Sequence, residues 1–273
     1  MLTHLSLFSG IGGLDLAAEW AGFTSVGQCE WADFPTKILE KHWPDVPKWR
    51  DIHDLTGEDF RTRTGLRTVD VISGGFPCQP FSVAGKQAGK EDERYLWPEM
   101  LRVISELKPS FVVGENVPGI LRIAAADVVK SLEREGYECV LFDFEAAAVG
   151  AHHRRERIAF VAHARSQGLQ GREQSGTHRE RIGEGRQSAF GPVSECGTVC
   201  NADESLCSGN NRRRESQGSE ERYRWPAEPD VGRVANGVPD RVDRIKALGN
   251  AVAPPQFYPI FRAIAEELRR GNT

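Results

Sequence analysis

Short apolar runs alternate with amphipathic stretches from the first residues to about Ala164. Residues 4–8, 25–30, 69–74, 111–116, 138–144 and 157–162 are of strand length and largely apolar, which predicts six strands. Between most of them, residues 14–21, 34–42, 97–107 and 128–136 carry apolar positions at helical spacing, and the last stretch ends at Gly136, a suitable C-cap. Strand and helix in alternation predict an α/β fold built on a mostly parallel, doubly wound sheet.

The pattern stops near Arg165. Through residue 224 glycine, serine, glutamate and arginine dominate, aliphatic periodicity almost vanishes, and ten basic residues stand against nine acidic ones. Apolar order resumes around Trp225, and residues 245–252, Pro254-Pro255 and a helical pattern over 257–268 read as core returning. The expected organisation is a body at 1–164, a loop-rich insertion at 165–230 and a returning segment at 231–273.

Composition changes this picture little. A chain of 273 residues is long enough to bury a full core. Its six cysteines, at 29, 78, 139, 196, 200 and 207, do not suggest a disulfide framework and suit a reducing compartment. The opening MLTHLSLFSGIGG has no basic start and breaks into glycines, so neither a secretory leader nor a membrane span is expected, and a cytoplasmic protein is the default. A net charge of -4 is silent about nucleic acid, because a local basic patch can bind phosphates on an acidic protein.

Candidate chemistry lies where strands are expected to end. The stretch GGFPCQPFS, Gly74 to Ser82, sets Cys78 between two prolines directly after an apolar run. Proline fixes φ and favours extended neighbours, so a stiff loop should present this thiol at the carboxyl edge of the sheet, where open α/β folds bind ligands. The first expected strand runs into Phe8-Ser9-Gly10-Ile11-Gly12-Gly13, a turn whose glycines admit close approach of a ligand and whose helix offers N–H groups. Glu30 follows about twenty residues on, where nucleotide-type folds place a carboxylate on ribose hydroxyls. These features leave a dinucleotide and S-adenosylmethionine both open. Glu115 ends another expected strand, and Arg154-Arg155-Glu156-Arg157 opens one. Cys196, Cys200 and Cys207 form a loose C-x3-C-x6-C without a fourth ligand, so no metal is expected.

Taken in order, these stretches resemble the DNA cytosine-5 methyltransferases. Phe8 to Gly13 is similar to the cofactor loop of that family, Pro77-Cys78-Gln79 to its nucleophile motif, Glu115-Asn116-Val117 to its base-binding motif and Arg155-x-Arg157 to its arginine motif. Leu248-Gly249-Asn250-Ala251-Val252 is similar to the segment that closes the cofactor pocket. The resemblance covers residues 1 to about 163 and about 231 to 270, and it implies a Rossmann-like S-adenosylmethionine-dependent methyltransferase. It implies Cys78, Glu115, Arg155 and Arg157 as catalytic residues, and Pro77, Gln79, Ser82, Asn116 and Val117 as substrate contacts. For the cofactor it implies Phe8, Gly10, Ile11 and Gly13, then Glu30 with Trp31, Asp51 with Ile52, and Leu96, Asn250, Ala251 and Val252. The implied partner is duplex DNA, read by the insertion as a target recognition region, with a monomer expected and a restriction-modification or phage-protection setting. One departure stands out: His152-His153 occupies the place where the family often has Pro-Gln. Competing readings are a cytosine-5 methyltransferase of RNA, a nicotinamide-dependent oxidoreductase using Cys78 as a reactive thiol, and an inactive DNA-binding relic.

Overall fold

The computed structural model describes residues 1–77, 95–165 and 239–271. Seven strands form one sheet: β1 (Leu2–Leu7), β2 (Phe23–Cys29), β3 (Lys48–Trp49), β4 (Val71–Gly74), β5 (Phe111–Asn116), β6 (Tyr137–Phe144) and β7 (Arg157–Ala164), in the order β3-β2-β1-β4-β5-β7-β6. The pairs from β3 to β5 are parallel, and β7 runs antiparallel to both of its neighbours. The helices are α1 (Gly13–Trp20), α2 (Asp33–His42), α3 (Gly57–Thr64), α4 (Trp97–Leu107), α5 (Ile120–Ile123), α6 (Ala125–Arg134), α7 (Arg241–Asn250) and α8 (Pro254–Gly271).

Alternation along the strands sorts side chains into two cores. Leu5, Leu7, Ile72, Val112 and Phe160 point to the face covered by α4 and α6, with Met100, Val103, Ile104, Val128 and Leu132. Val71, Phe111, Val113, Ala159 and Val161 point to the opposite face, with Leu14, Ala17, Phe257, Phe261 and Ile264 from α1 and α8. Strands buried on both faces read as unbroken apolar runs, which is why most were predictable.

The expected α/β class and mostly parallel sheet are what the chain adopts. Expectation and structure part at short elements and at α7, where Ile245 and Leu248, read as core, are exposed and only Ala247 is buried. β3 has two residues, and α3 buries only Gly57 and Phe60, so neither carries a periodic signal. His152 and His153 lie in a bend after a 3-10 turn at Ala146–Val149. Because β2 and β4 flank β1 on opposite sides, the chain reverses direction across the sheet there. The crevice beyond the carboxyl ends of β1 and β4 is where such folds take ligands.

Candidate active site

The loop after β1 lies at this edge of the sheet. Phe8 has φ 53°, Gly10 φ 56° and Gly12 φ 85°, the left-handed region that is costly for Phe8 and free for glycine. A β-carbon on Gly10 would meet nothing within 4 Å, so the backbone there faces open space. The Gly10 N–H donates to Glu30 Oε2 and the Ala32 N–H to Oε1, each at 2.8 Å. Two backbone donors thus hold the Glu30 carboxylate in one orientation at the end of β2, with lone pairs left for a ligand's hydroxyls. Trp31 beside it is 73% exposed, an aromatic face of unusual openness for its size.

Opposite, the C-terminal segment closes on the loop. A β-carbon on Gly13 would fall 2.5 Å from the carbonyl oxygen of Val252. Only glycine permits that approach, and α1 begins at this residue. Asp51 and Ile52 follow β3. Ile52 is buried, while the Asp51 carboxylate accepts from the His53 backbone N–H at 2.9 Å, a bond that lowers its pKa. Leu96 is the N-cap residue of α4, packed against the core, and Asn250 ends α7. Phe8, Gly10, Ile11 and Gly13 thus share one loop with Glu30 tied to it and Val252 against it.

At the end of β5 stands Glu115, 9% exposed. Its Oε1 pairs with Arg157 Nε at 2.7 Å, and a β-carbon on Gly75 would lie 2.7 Å from its Oε2. The carboxyl is thus pressed onto the backbone of the loop that leads to Cys78. Burial pushes its pKa up, while the Arg157 and Arg155 charges oppose that shift. Asn116 Nδ2 donates to the Phe76 carbonyl at 3.0 Å, and the Val117 N–H donates to Asn116 Oδ1 at 2.9 Å. Asn116 therefore braces this loop, while Val117 is 43% exposed. Phe76 is buried between Trp97 and Phe160, with ring centroids at 4.9 and 6.2 Å, and anchors the loop in the core.

Arg155 and Arg157 have different surroundings. Arg157 faces Glu115, whereas Arg155 donates to the carbonyl oxygens of Gly249 and Ala251. Pro77 ends a described stretch; Cys78, Gln79 and Ser82 lie outside the described residues, as does nearly all of 165–230, including Cys196, Cys200 and Cys207. Two contributors carried no sequence signal: Gly75, a close-approach glycine, and Gln256, a buried amide. Among the described residues no His/Cys/Asp/Glu cluster could hold a metal ion, and no helix is long and apolar enough to cross a membrane.

The sequence profile of C-5 cytosine-specific DNA methylases matches residues 2–222. The type II methyltransferase M.NgoFVII of Neisseria gonorrhoeae is 34% identical over 181 residues, covering 64% of this chain and 47% of its own length. M.PspPI of Psychrobacter sp. (strain TA137) is 38% identical over 164 residues, 58% of this chain and 38% of its own. The chain thus spans about half the length of these relatives or less. The S. pombe Dnmt2 methyltransferase shares the fold, with a TM-score of 0.52 at 24% identity, over 62% of this chain and 52% of that one.

Proposed function

The chain belongs to the C-5 cytosine-specific DNA methylases, and from that premise we propose that it methylates C5 of a cytosine flipped out of duplex DNA, through a covalent bond between Cys78 and C6. The observation that carries this reading is the buried Glu115–Arg157 pair set over Gly75, beside a glycine loop braced by Glu30.

The residues suit the cofactor. Gly10 faces open space, Glu30 offers an oriented carboxylate to ribose hydroxyls, and the exposed Trp31 offers a face to adenine. S-adenosylmethionine, held by these groups and by Phe8, Ile11, Gly13 and Val252, would supply an electrophilic methyl to C5.

Cytosine C5 is a weak nucleophile, and the protein has to change that. The Cys78 thiolate adds to C6, and the electron pair of the C5–C6 double bond becomes available at C5 as an enamine. Negative charge develops at N3, and a protonated Glu115 is suited to donate there; its burial favours the neutral form. Arg157 keeps that carboxyl in place and is itself suited to the cytosine O2. Once C5 carries the methyl, loss of its proton returns the electron pair and expels the Cys78 thiolate. Cys29, by contrast, is buried and Cys139 partly so, and desolvation pushes the pKa of each thiol up to about 12, unsuited to this work.

The test is a tritiated methyl transfer assay on duplex DNA and on tRNA, followed by a trap. Duplex DNA with 5-fluorocytosine at the target should accept the methyl group and then hold the protein in a denaturant-resistant band, because fluorine cannot leave as a proton does. Cys78→Ser should abolish the band, since an alcohol is far less ionised than a thiol near neutrality. Methylation of ordinary DNA with no trapped band, or equal trapping by Cys78→Ser, would refute the covalent route. Transfer to tRNA alone would move the substrate to RNA.

A further inference from the structure

The loop that carries the arginines and the segment that returns after α7 hold each other in both directions. Arg155 Nη2 donates to the Gly249 carbonyl at 2.9 Å and to the Ala251 carbonyl. In return, Gln256 Nε2 donates to the carbonyl of Arg155 at 3.0 Å and to that of Phe144 at 2.9 Å. Phe144 ends β6 and Arg155 lies two residues before β7, so one side chain ties together both ends of their connection.

Gln256 is an exception in its helix. The other large residues that α8 buries, Phe257, Phe261 and Ile264, are apolar and serve the core, but this amide is 1% exposed. Both of its amide protons go to carbonyl oxygens, which fixes which way the amide points. Arg155 also needs fixing, because its φ of 41° is unfavourable for a residue with a side chain and persists only where the surroundings enforce it.

The carbonyls that Arg155 holds lead directly to Val252, the residue packed on Gly13. We propose that Gln256 is a positioning residue for the cofactor: it sets the backbone of Arg155, and through Arg155 it keeps residues 249–252 seated against the glycine loop. Gln256 touches neither cofactor nor base. The inference rests on the reading of that loop as the S-adenosylmethionine site.

The probe is S-adenosylhomocysteine, titrated by calorimetry into wild type, Gln256→Met, Arg155→Met and the double variant, with melting temperatures taken in parallel. Each single change should weaken binding roughly tenfold, the order expected for one lost charge-assisted or doubly donated contact. The double variant should bind no more than about twofold worse than the weaker single variant, because the two residues act in series. A purely structural Gln256 would give losses that multiply, and that result would overturn the proposal, as would unchanged affinity in Gln256→Met. Should Gln256→Met fail to fold, Gln256→Asn, which keeps the amide but is too short to span both carbonyls, takes its place in the same cycle. Wild-type protein that binds no S-adenosylhomocysteine would overturn the cofactor reading, and this inference with it.

Discussion

His4 in β1 and Asp15 in α1 are fully buried and respond to pH in opposite senses. His4 sits in β1 with Nε2 against Ser73 Oγ at 2.7 Å, and burial drives its pKa from 6.5 down to about 3. The unfolded chain then binds the proton more readily, so stability present above pH 6.5 is lost as pH falls towards 3. Asp15 accepts from Ser6 Oγ at 2.8 Å and Gln28 Nε2 at 2.9 Å, yet burial outweighs these donors and raises its pKa to about 6. Its folded state holds the proton more tightly, so its contribution is greatest below pH 3.8 and is lost as pH rises through 6. Between pH 7 and pH 5 the His4 effect costs roughly 2 kcal/mol and the Asp15 effect returns roughly 1 kcal/mol. Asp15→Asn should therefore steepen the fall in urea midpoint from pH 7 to pH 5, and His4→Gln should shrink or invert it. Midpoints that shift in parallel for all three proteins would contradict both assignments. A second residue-scale change bears on the site: in Gly13→Ala the new methyl must displace the Val252 carbonyl, which is backbone and cannot swing aside. S-adenosylhomocysteine affinity should drop at least about tenfold, and the melting temperature should fall with it because the clash is with backbone; calorimetry showing wild-type affinity would separate Val252 from the cofactor.

At the scale of elements, the third strand is the weakest part of the sheet and the most dependent on a neighbour. β3 has two residues, and the turn after it is held from α4 by Arg102, which donates to the carbonyls of Ile52 at 2.8 Å and Leu55 at 3.2 Å. Glu99 and Glu106 fix the same guanidinium at 2.7 and 2.9 Å, and Glu106 also accepts from the Gly57 N–H at the start of α3. Arg102→Met should cost about 1.5 to 3 kcal/mol in urea unfolding, the range for hydrogen bonds to a charged group, and should weaken binding at the proposed cofactor site through Ile52. Full stability in that variant would show that α4 and the turn are held by packing alone. None of this clamp was legible in the sequence, where Arg102 is one more polar position on an amphipathic helix. The long strands and α1, α2, α4, α6 and α8 were legible because their buried faces repeat. α3 was not: its Thr56 N-cap, which accepts from the Asp59 N–H, and its Gly65 at φ 72° carry the boundary signals while its interior is polar. The motif residues could be named from resemblance. That β7 inserts antiparallel beside β5, and so brings Arg157 to Glu115, is a matter of pairing between distant segments, which no local pattern encodes.

Across the whole molecule, described segments that are far apart in sequence build one body. β7 ends at Ala164, α7 begins at Arg241, and α8 packs on α1 through the same core that β4, β5 and β7 enter. Residues 239–271 therefore share one body with β1 to β7, and Val252 reaches the glycine loop as part of it. The residues proposed above to hold cofactor and base, from Phe8 to Arg157 and from Gly249 to Val252, all lie outside this interval of the sequence. We propose that residues 165–230, most of which lie outside the described residues, select the DNA sequence; Arg179, Arg181, Arg212, Arg213, Arg214, Arg222 and Arg224 are candidates for contacts to phosphates or guanine edges. The net charge of -4 gives no general attraction to DNA, so such contacts have to be local. Exchanging 165–230 for the corresponding segment of a relative with a different target should move the methylated site to that of the donor, while S-adenosylhomocysteine affinity stays within about twofold, since no proposed cofactor contact is changed. Methylome sequencing of cells expressing the chimera reads the site directly. An active chimera that still methylates the original sequence would place recognition in the body, whereas a chimera that lost cofactor affinity would mean that the interval supports the pocket as well.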